Sequence, residues 1–227
     1  VQPLPHDLAG LIWPAFVCAG APAAEMAGMH VNPALHLCWA SGVLRPVTEF
    51  RPSLHDRAFR YGDGVFATLA LESGVLLDAE PHVQRLGAAA TAIGLEPPPP
   101  VRTAAALLDV LAQLGAGPDT SATIRVQLSA APGSRGYGRA GSAAVELVEA
   151  LPLPAPRDLS VVVLEDGCVP APALPGVKSC SALAHVLCAA EAARRGCAEA
   201  LRVSGGHVLE ASSATSGRGW RKTKSSP

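Results

Sequence analysis

A chain of 227 residues with a formal net charge of -1 is long enough to bury a sizeable core, as one domain or two small ones. That charge supplies no basic field for nucleic acid and no acidic tail. Six cysteines (Cys18, Cys38, Cys168, Cys180, Cys188, Cys197) without C-x-x-C spacing point to free thiols in a reducing, cytoplasmic compartment rather than to a metal site or a disulfide framework.

Residues 8–24, LAGLIWPAFVCAGAPAA, are uncharged, but Pro14 and Pro22 interrupt them and they fall short of the roughly 20 apolar residues a membrane span needs. No basic segment precedes them, so a signal peptide is a poor fit, and residues 1–28 are expected to lie outside the working domain. HLCWASGVLRPVTE (36–49) reads as a hairpin turning at Ser41 and Gly42. Gly62 and Gly64 bracket Asp63 in a tight turn before the strand VFATLAL, and ESG turns the chain into VLLD. Val83, Leu86, Ala90 and Ile93 give 80–95 a helical period that stops near Gly94. PPPP (97–100) is a stiff break, followed by a helix over 101–115 and a strand over 121–130. A glycine-rich loop (132–142) and a further strand lead to the proline-rich connector LPLPAPRD at 151–158. Beyond it the sequence predicts a strand at LSVVVLED, a helix over 181–201 with Gly196 as its C-terminal stop, and a hairpin turning on Gly205 and Gly206. Strands beside alanine-rich helices argue for an α+β chain.

Lysine usage isolates one residue. Of the 18 basic residues only Lys178, Lys222 and Lys224 are lysines. Arginine carries charge equally well, but only lysine loses its proton at ordinary pH and attacks a carbonyl. In the glycine-rich loop, GYGRAG (136–141) spells G-x-G-x-x-G after a strand, yet no crossover helix is expected before Pro152. A dinucleotide-binding module is therefore the weaker reading. Arg135 and Tyr137, two residues apart in the same loop, can point a guanidinium and a phenol to one side, toward a carboxylate. No Ser-His-Asp order, H-E-x-x-H or Walker loop is present.

Five segments occur in a fixed order: D-R-A-F-x-Y-G-D-G-V-F-A-T (56–68), H-x-x-R-L (82–86), G-S-R-G-Y (133–137), G-V-K-S (176–179), and E-A-L-R-V with V-L-E-A-S-S (199–213). In this the chain resembles the class IV pyridoxal-phosphate enzymes, which include branched-chain aminotransferases, D-amino acid aminotransferases and 4-amino-4-deoxychorismate lyases. The resemblance implies the two-domain α+β fold of the D-amino acid aminotransferases, fold type IV, with pyridoxal 5'-phosphate as cofactor, a small-molecule substrate and a homodimer, and no nucleic-acid or membrane partner. It assigns Lys178 to the cofactor as a Schiff base, its amine pKa lowered by burial, and Glu210 to the pyridine nitrogen. Arg85 goes to the phosphate and Ser212 and Ser213 to cofactor binding. Phe66 and Thr68 share one strand face that lines the substrate pocket, with Thr68 a candidate proton donor beside Lys178.

G-x-R-G-Y is most similar to the lyases, which implies elimination of pyruvate from 4-amino-4-deoxychorismate to give 4-aminobenzoate in the folate pathway, with Arg135 and Tyr137 on the substrate. An aminotransferase acting on D-amino or branched-chain amino acids is the alternative, although branched-chain enzymes carry aromatic-Ile-Arg-Pro where this chain has Thr123-Ile124-Arg125-Val126. The domains expected are a non-family extension at 1–28, an N-terminal α+β domain at 29–150, the linker at 151–158 and a cofactor-binding domain at 159–214. After Ala214 the family pattern stops. Within synonymous codon freedom the bases for TSGRGWRKTKSSP (215–227), read one base earlier, can give an apolar strand and turn, so a frameshifted tail and a truncated C-terminal domain are expected.

Overall fold

The computed structural model describes residues 37–40, 42–133, 136–153, 160–165, 167–168, 174 and 176–213. Expectations for 1–28, for the tail at 215–227, for most of the linker and for Arg135 fall outside the described residues. The chain forms two compact units, one within Gly28–Leu153 and Ala173–Ser181 and the other within Pro154–Pro172 and Ala182–Pro227. The lysine-bearing segment, expected with the second domain, thus groups with the first unit.

The first unit is built on an antiparallel sheet of β1 (Leu37–Ala40), β2 (Val43–Pro46), β3 (Gly64–Glu72), β4 (Val75–Leu76), β5 (Ala122–Ala130) and β6 (Ala144–Pro152). Their order is β2-β1-β6-β5-β3-β4. The period of two along β3 sends Val65, Ala67, Leu69 and Leu71 into the core and leaves Phe66 and Thr68 half-buried on the other face. β5 repeats the pattern, with Ile124, Val126 and Leu128 inward and Arg125 and Gln127 half-exposed opposite. The core face is covered by two helices, α2 (Ala79–Ala92) and α3 (Pro100–Leu114), after a short α1 (Arg57–Tyr61). α2 buries Leu86 and Ala90 and α3 buries Thr103, Ala106, Leu107 and Val110, spacings that keep one helix face on the sheet. Two polar contacts fix α3 there. Trp39 Nε1 donates to Asp109 Oδ2 at 3.2 Å, and Thr103 Oγ1 donates to the fully buried Glu146 Oε1 at 2.5 Å.

α1 is a single turn that the sequence pattern does not announce. Asp56 caps it by accepting from the Phe59 N–H at 2.7 Å, and Gly62, at φ +66°, ends it. Its first residue, Arg57, is only 3 % exposed. Arg57 Nε pairs with Asp63 Oδ2 at 2.8 Å, and its other nitrogens donate to the carbonyls of Gly136, Tyr137 and Gly138 at 3.2, 2.7 and 3.1 Å. Arg139 pairs with the same Asp63 carboxylate and donates to the Ile93 carbonyl at 2.6 Å. One carboxylate and two guanidiniums therefore hold the glycine-rich loop to the start of β3.

The second unit has β7 (Val161–Leu164), β8 (Glu199–Ser204) and β9 (His207–Ala211) in the order β7-β8-β9, the first pair parallel and the second antiparallel. Its helix, α4 (Leu183–Arg194), lies in the connection a parallel pair requires and buries Ala184, Cys188 and Ala192 at intervals of four. The helix expected over 181–201 is shorter in the structure. Gly196 at φ +71° stops it, and 199–204 becomes the central strand, because pairing on both edges outweighs the helix propensity of C-A-E-A-L. Among the described residues no helix is long and apolar enough to cross a membrane and no cluster of side chains is suited to a metal ion.

Arg57→Met takes the donor from three loop carbonyls and leaves Asp63 to Arg139 alone, so unfolding in urea should lose about 1–3 kcal/mol. Asp63 adds a pH signature. Hydrogen bonding from Arg139, foremost, and from Arg57 holds its pKa below the ordinary carboxylate value against the opposing effect of burial. Its contribution is therefore fully present above about pH 4 and is lost as pH falls through the lowered pKa. The acid limb of the stability–pH curve should flatten in Asp63→Asn, measured by thermal unfolding across that range.

Candidate functional site

The lysine singled out by composition is held by its backbone. β4 pairs only with the Leu71–Glu72 end of β3, which leaves the outer edge at Gly64–Phe66 for another segment. Residues 178–180 take it. The Phe66 N–H donates to the Lys178 carbonyl at 3.0 Å, the Cys180 N–H donates to the Gly64 carbonyl at 2.8 Å, and Val65 bridges Ser179. The glycines of Gly62-Asp63-Gly64 make this approach possible. A Cβ on Gly62 would lie 2.8 Å from Ser181 Cα, and one on Gly64 would lie 2.7 Å from the Leu128 carbonyl and 3.3 Å from Cys180 Sγ.

The pinned segment brings Lys178 Nζ to 5.1 Å from the Phe66 ring centroid, while Arg125 Cζ stands 3.7 Å from the same centroid. Thr68 is the direct cross-strand partner of Arg125, so Lys178, Phe66, Thr68 and Arg125 share one open sheet face. Arg125 Nη2 donates to Gln127 Oε1 at 3.2 Å, and Gln127 Nε2 donates to Ser129 Oγ at 3.0 Å, continuing a polar line along β5. Arg125 is not among the site residues expected from the sequence; its signal is the alternation of SATIRVQLSA, with arginine and glutamine out of phase with Ile124, Val126 and Leu128. Arg85 lies on α2, exposed, with Nη2 2.9 Å from His82 Nδ1. Burial, and then the positive charges of Arg85 and Lys178, hold the His82 imidazole below its ordinary pKa. Arg85 and Lys178 thus both lie within electrostatic reach of His82. Burial pushes the Cys180 thiol up to about 11, so it stays protonated beside the lysine segment. The burial expected around the Lys178 amine is absent, since that residue is exposed.

The loop places Tyr137 differently from the expected pairing with a substrate carboxylate. Its ring packs at 5.4 Å on Tyr61, and the residue is 86 % exposed. Arg135 lies outside the described residues. The dinucleotide alternative meets a direct obstacle. A phosphate cradle turns N–H groups inward at the start of a helix, whereas this loop turns three carbonyls onto Arg57 and is followed by β6.

In the second unit, Glu210 on β9 faces Arg202 on β8, with Arg202 Nη1 2.5 Å from Oε1 and His185 Nε2 of α4 3.0 Å from Oε2. Hydrogen bonding from His185, then the Arg202 pair, holds Glu210 below the ordinary carboxylate range, with burial opposing. Ser212 and Ser213, expected on a cofactor, spend their hydroxyls otherwise. The buried Glu199 carboxylate accepts from both hydroxyls and from the N–H groups of Ala200, Ser212 and Ser213. This closes the end of β9 onto β8.

Each unit, taken by itself, offers groups suited to part of a cofactor that carries an aldehyde, a phosphate and a protonated aromatic nitrogen. The first unit offers a primary amine and an arginine, and the second an ionised carboxylate. An amine can bind the aldehyde reversibly, guanidinium suits phosphate, and a carboxylate suits a pyridinium.

A family model described as amino-transferase class IV matches residues 64–221. An aminodeoxychorismate lyase of Vibrio harveyi is 37% identical over 103 residues, which are 45% of this chain and 35% of the lyase. The branched-chain aminotransferase of Thermoproteus uzoniensis, solved with norvaline, superposes with a TM-score of 0.68 at 21% identity, over 78% of this chain and 62% of that one. A fold IV transaminase from Curtobacterium pusillum gives 0.60 at 26% identity, over 75% and 61%. The chain thus spans about a third of the lyase and about three fifths of the solved structures, and these likenesses identify the expected fold.

Gly62→Ala should loosen the lysine segment. The new methyl needs a left-handed φ, costing roughly 1–2 kcal/mol, and pushes on the Ser181 backbone. Amide hydrogen exchange at Phe66 and Cys180 should accelerate more than in the body of β5; unchanged exchange at both amides would contradict the pinning.

Proposed function

The chain belongs to the class IV aminotransferase family, and from that premise we propose that it is a pyridoxal-phosphate-dependent lyase converting 4-amino-4-deoxychorismate to 4-aminobenzoate and pyruvate. The observation that carries this reading is Lys178, tied by its backbone to β3 beside Phe66 and Arg125. The lyase among the relatives and the G-S-R-G-Y segment favour elimination over amino transfer. When bound, the cofactor withdraws electrons from the carbon that bears the substrate amine.

The chain's residues supply binding and proton movement. Lys178 would hold the cofactor through Nζ, and as a free amine that Nζ would take the substrate C4 proton. Enolpyruvate then leaves as the ring becomes aromatic, and its methylene carbon receives a proton from Lys178 or from the Thr68 hydroxyl. Arg85 takes the cofactor phosphate and Glu210 faces the ring nitrogen. The substrate's two carboxylates need cationic partners. Arg125, spread over Phe66 on the open sheet face, is one, and Arg135 is the other, while Tyr137 packs on Tyr61. The family resemblance adds a homodimer and a cytoplasmic, folate-pathway setting. Transfer from D-amino or branched-chain amino acids is the second reading, favoured by the Curtobacterium transaminase at 26% identity.

Full-length protein incubated with pyridoxal phosphate should show a visible absorption band that borohydride fixes onto Lys178. Lys178→Arg keeps the charge and should abolish both, because guanidinium forms no imine; an unchanged spectrum would sink the assignment.

Arginine variants separate the roles. Arg135→Ala and Arg125→Ala should each lower kcat/KM for 4-aminobenzoate release by roughly ten- to a hundredfold, the worth of one charge-assisted hydrogen bond. Arg85→Ala should release the cofactor first. Should Arg135→Ala spare lyase turnover and cripple transfer to a keto acid, the aminotransferase reading replaces this one.

A further inference from the structure

The least expected residue around Glu210 is Arg202. It is 6 % exposed, on the central strand of the small sheet, where a strand side chain facing a helix is ordinarily apolar. Ala200, two residues earlier on the same face, follows the rule. A buried guanidinium never sheds its proton, so its charge must be met in place. The fold meets it with Glu210. A register shift between Arg202 and Val203 leaves one extra residue on β9, Leu209, and sets Glu210 directly opposite Arg202 on the same face. Arg202 Nη1 then reaches Oε1 at 2.5 Å, and His185, from α4, reaches Oε2 at 3.0 Å. Both oxygens of the carboxylate are engaged before any ligand is considered.

We propose that Arg202, acting through Glu210, weakens the protonation of the cofactor's ring nitrogen in this chain. The inference rests on the reading that Glu210 faces that nitrogen. A carboxylate stabilises a pyridinium by its own negative charge, and a permanent positive charge on one of its oxygens cancels much of that field. The ionisable groups facing Glu210 are Arg202 from β8 and His185 and Cys188 from α4; Glu199 stands near Cys188. Cys188 is buried, which keeps its thiol protonated, so Arg202 supplies the fixed charge of the group. A ring with a loosely held proton withdraws electrons less strongly. Elimination that ends in an aromatic ring needs less withdrawal, because aromatisation drives it. Arg202 is therefore a positioning and tuning residue for the elimination reading, without touching the substrate.

The test follows the ring nitrogen rather than turnover. Full-length protein is loaded with pyridoxal phosphate isotopically labelled at that nitrogen, and its magnetic resonance position is recorded across the neutral pH range. In the wild type the nitrogen should lose its proton within that range. Arg202→Met and Arg202→Gln should move the midpoint up by at least about one pH unit, the smaller effect expected of an adjacent charge. Arg202→Lys should restore the wild-type value, which a merely structural role would not do. A wild-type nitrogen protonated throughout overturns the proposal even if no variant folds, and so does an equal midpoint in wild type and Arg202→Gln. If the wild type takes up no cofactor, the cofactor reading itself fails and the proposal falls with it.

Discussion

Everything proposed for the first unit depends on two main-chain hydrogen bonds that tie residues 178–180 to the edge of β3. They unite segments more than a hundred residues apart in sequence, and they do so where glycine leaves no side chain in the way. Strand pairing fixes a backbone far more tightly than a loop does, so the lysine amine swings from a rigid root. The same edge is open because β4 pairs only at the opposite end of β3. A long partner strand there would have closed the edge and excluded the lysine.

Charge is divided along chemical lines. Arginines do the permanent work: Arg57 and Arg139 share Asp63, Arg125 lies over an aromatic ring, and Arg202 meets Glu210. Lys178 is the residue proposed to work through a removable proton. Two acids of the second unit differ in the same way. Glu199 is saturated by neutral donors and serves the sheet, whereas Glu210 is half-exposed and answers to charged neighbours.

The sequence reading reached the strands and most of the helices because apolar periodicity along β3, β5, α2 and α3 reports a local geometry directly. It failed where the deciding partner was distant. C-A-E-A-L looks helical on its own, and only the strands on either side of β8 make it extended. Arg57 was legible as part of a motif, but its three carbonyl acceptors lie about eighty residues on. Ser212 and Ser213 were legible as polar residues beside an acid; that they satisfy Glu199 instead follows from pairing between β8 and β9. Arg125 is legible only from its strand phase, because its neighbours Thr123, Ile124 and Val126 spell no motif of their own.

Arg57 grips the glycine-rich loop by main-chain oxygens alone. Such a grasp is blind to side-chain identity, since every residue carries the same carbonyl. Among the positions it holds, 137 is free to change what it presents to solvent, and Tyr137 already points outward there, whereas Gly136 at φ +107° favours glycine. New selectivity at this loop would therefore cost the fold little, and a library randomised at 137 should retain a high proportion of folded members. The loop is a mount on which different recognition surfaces can be exchanged.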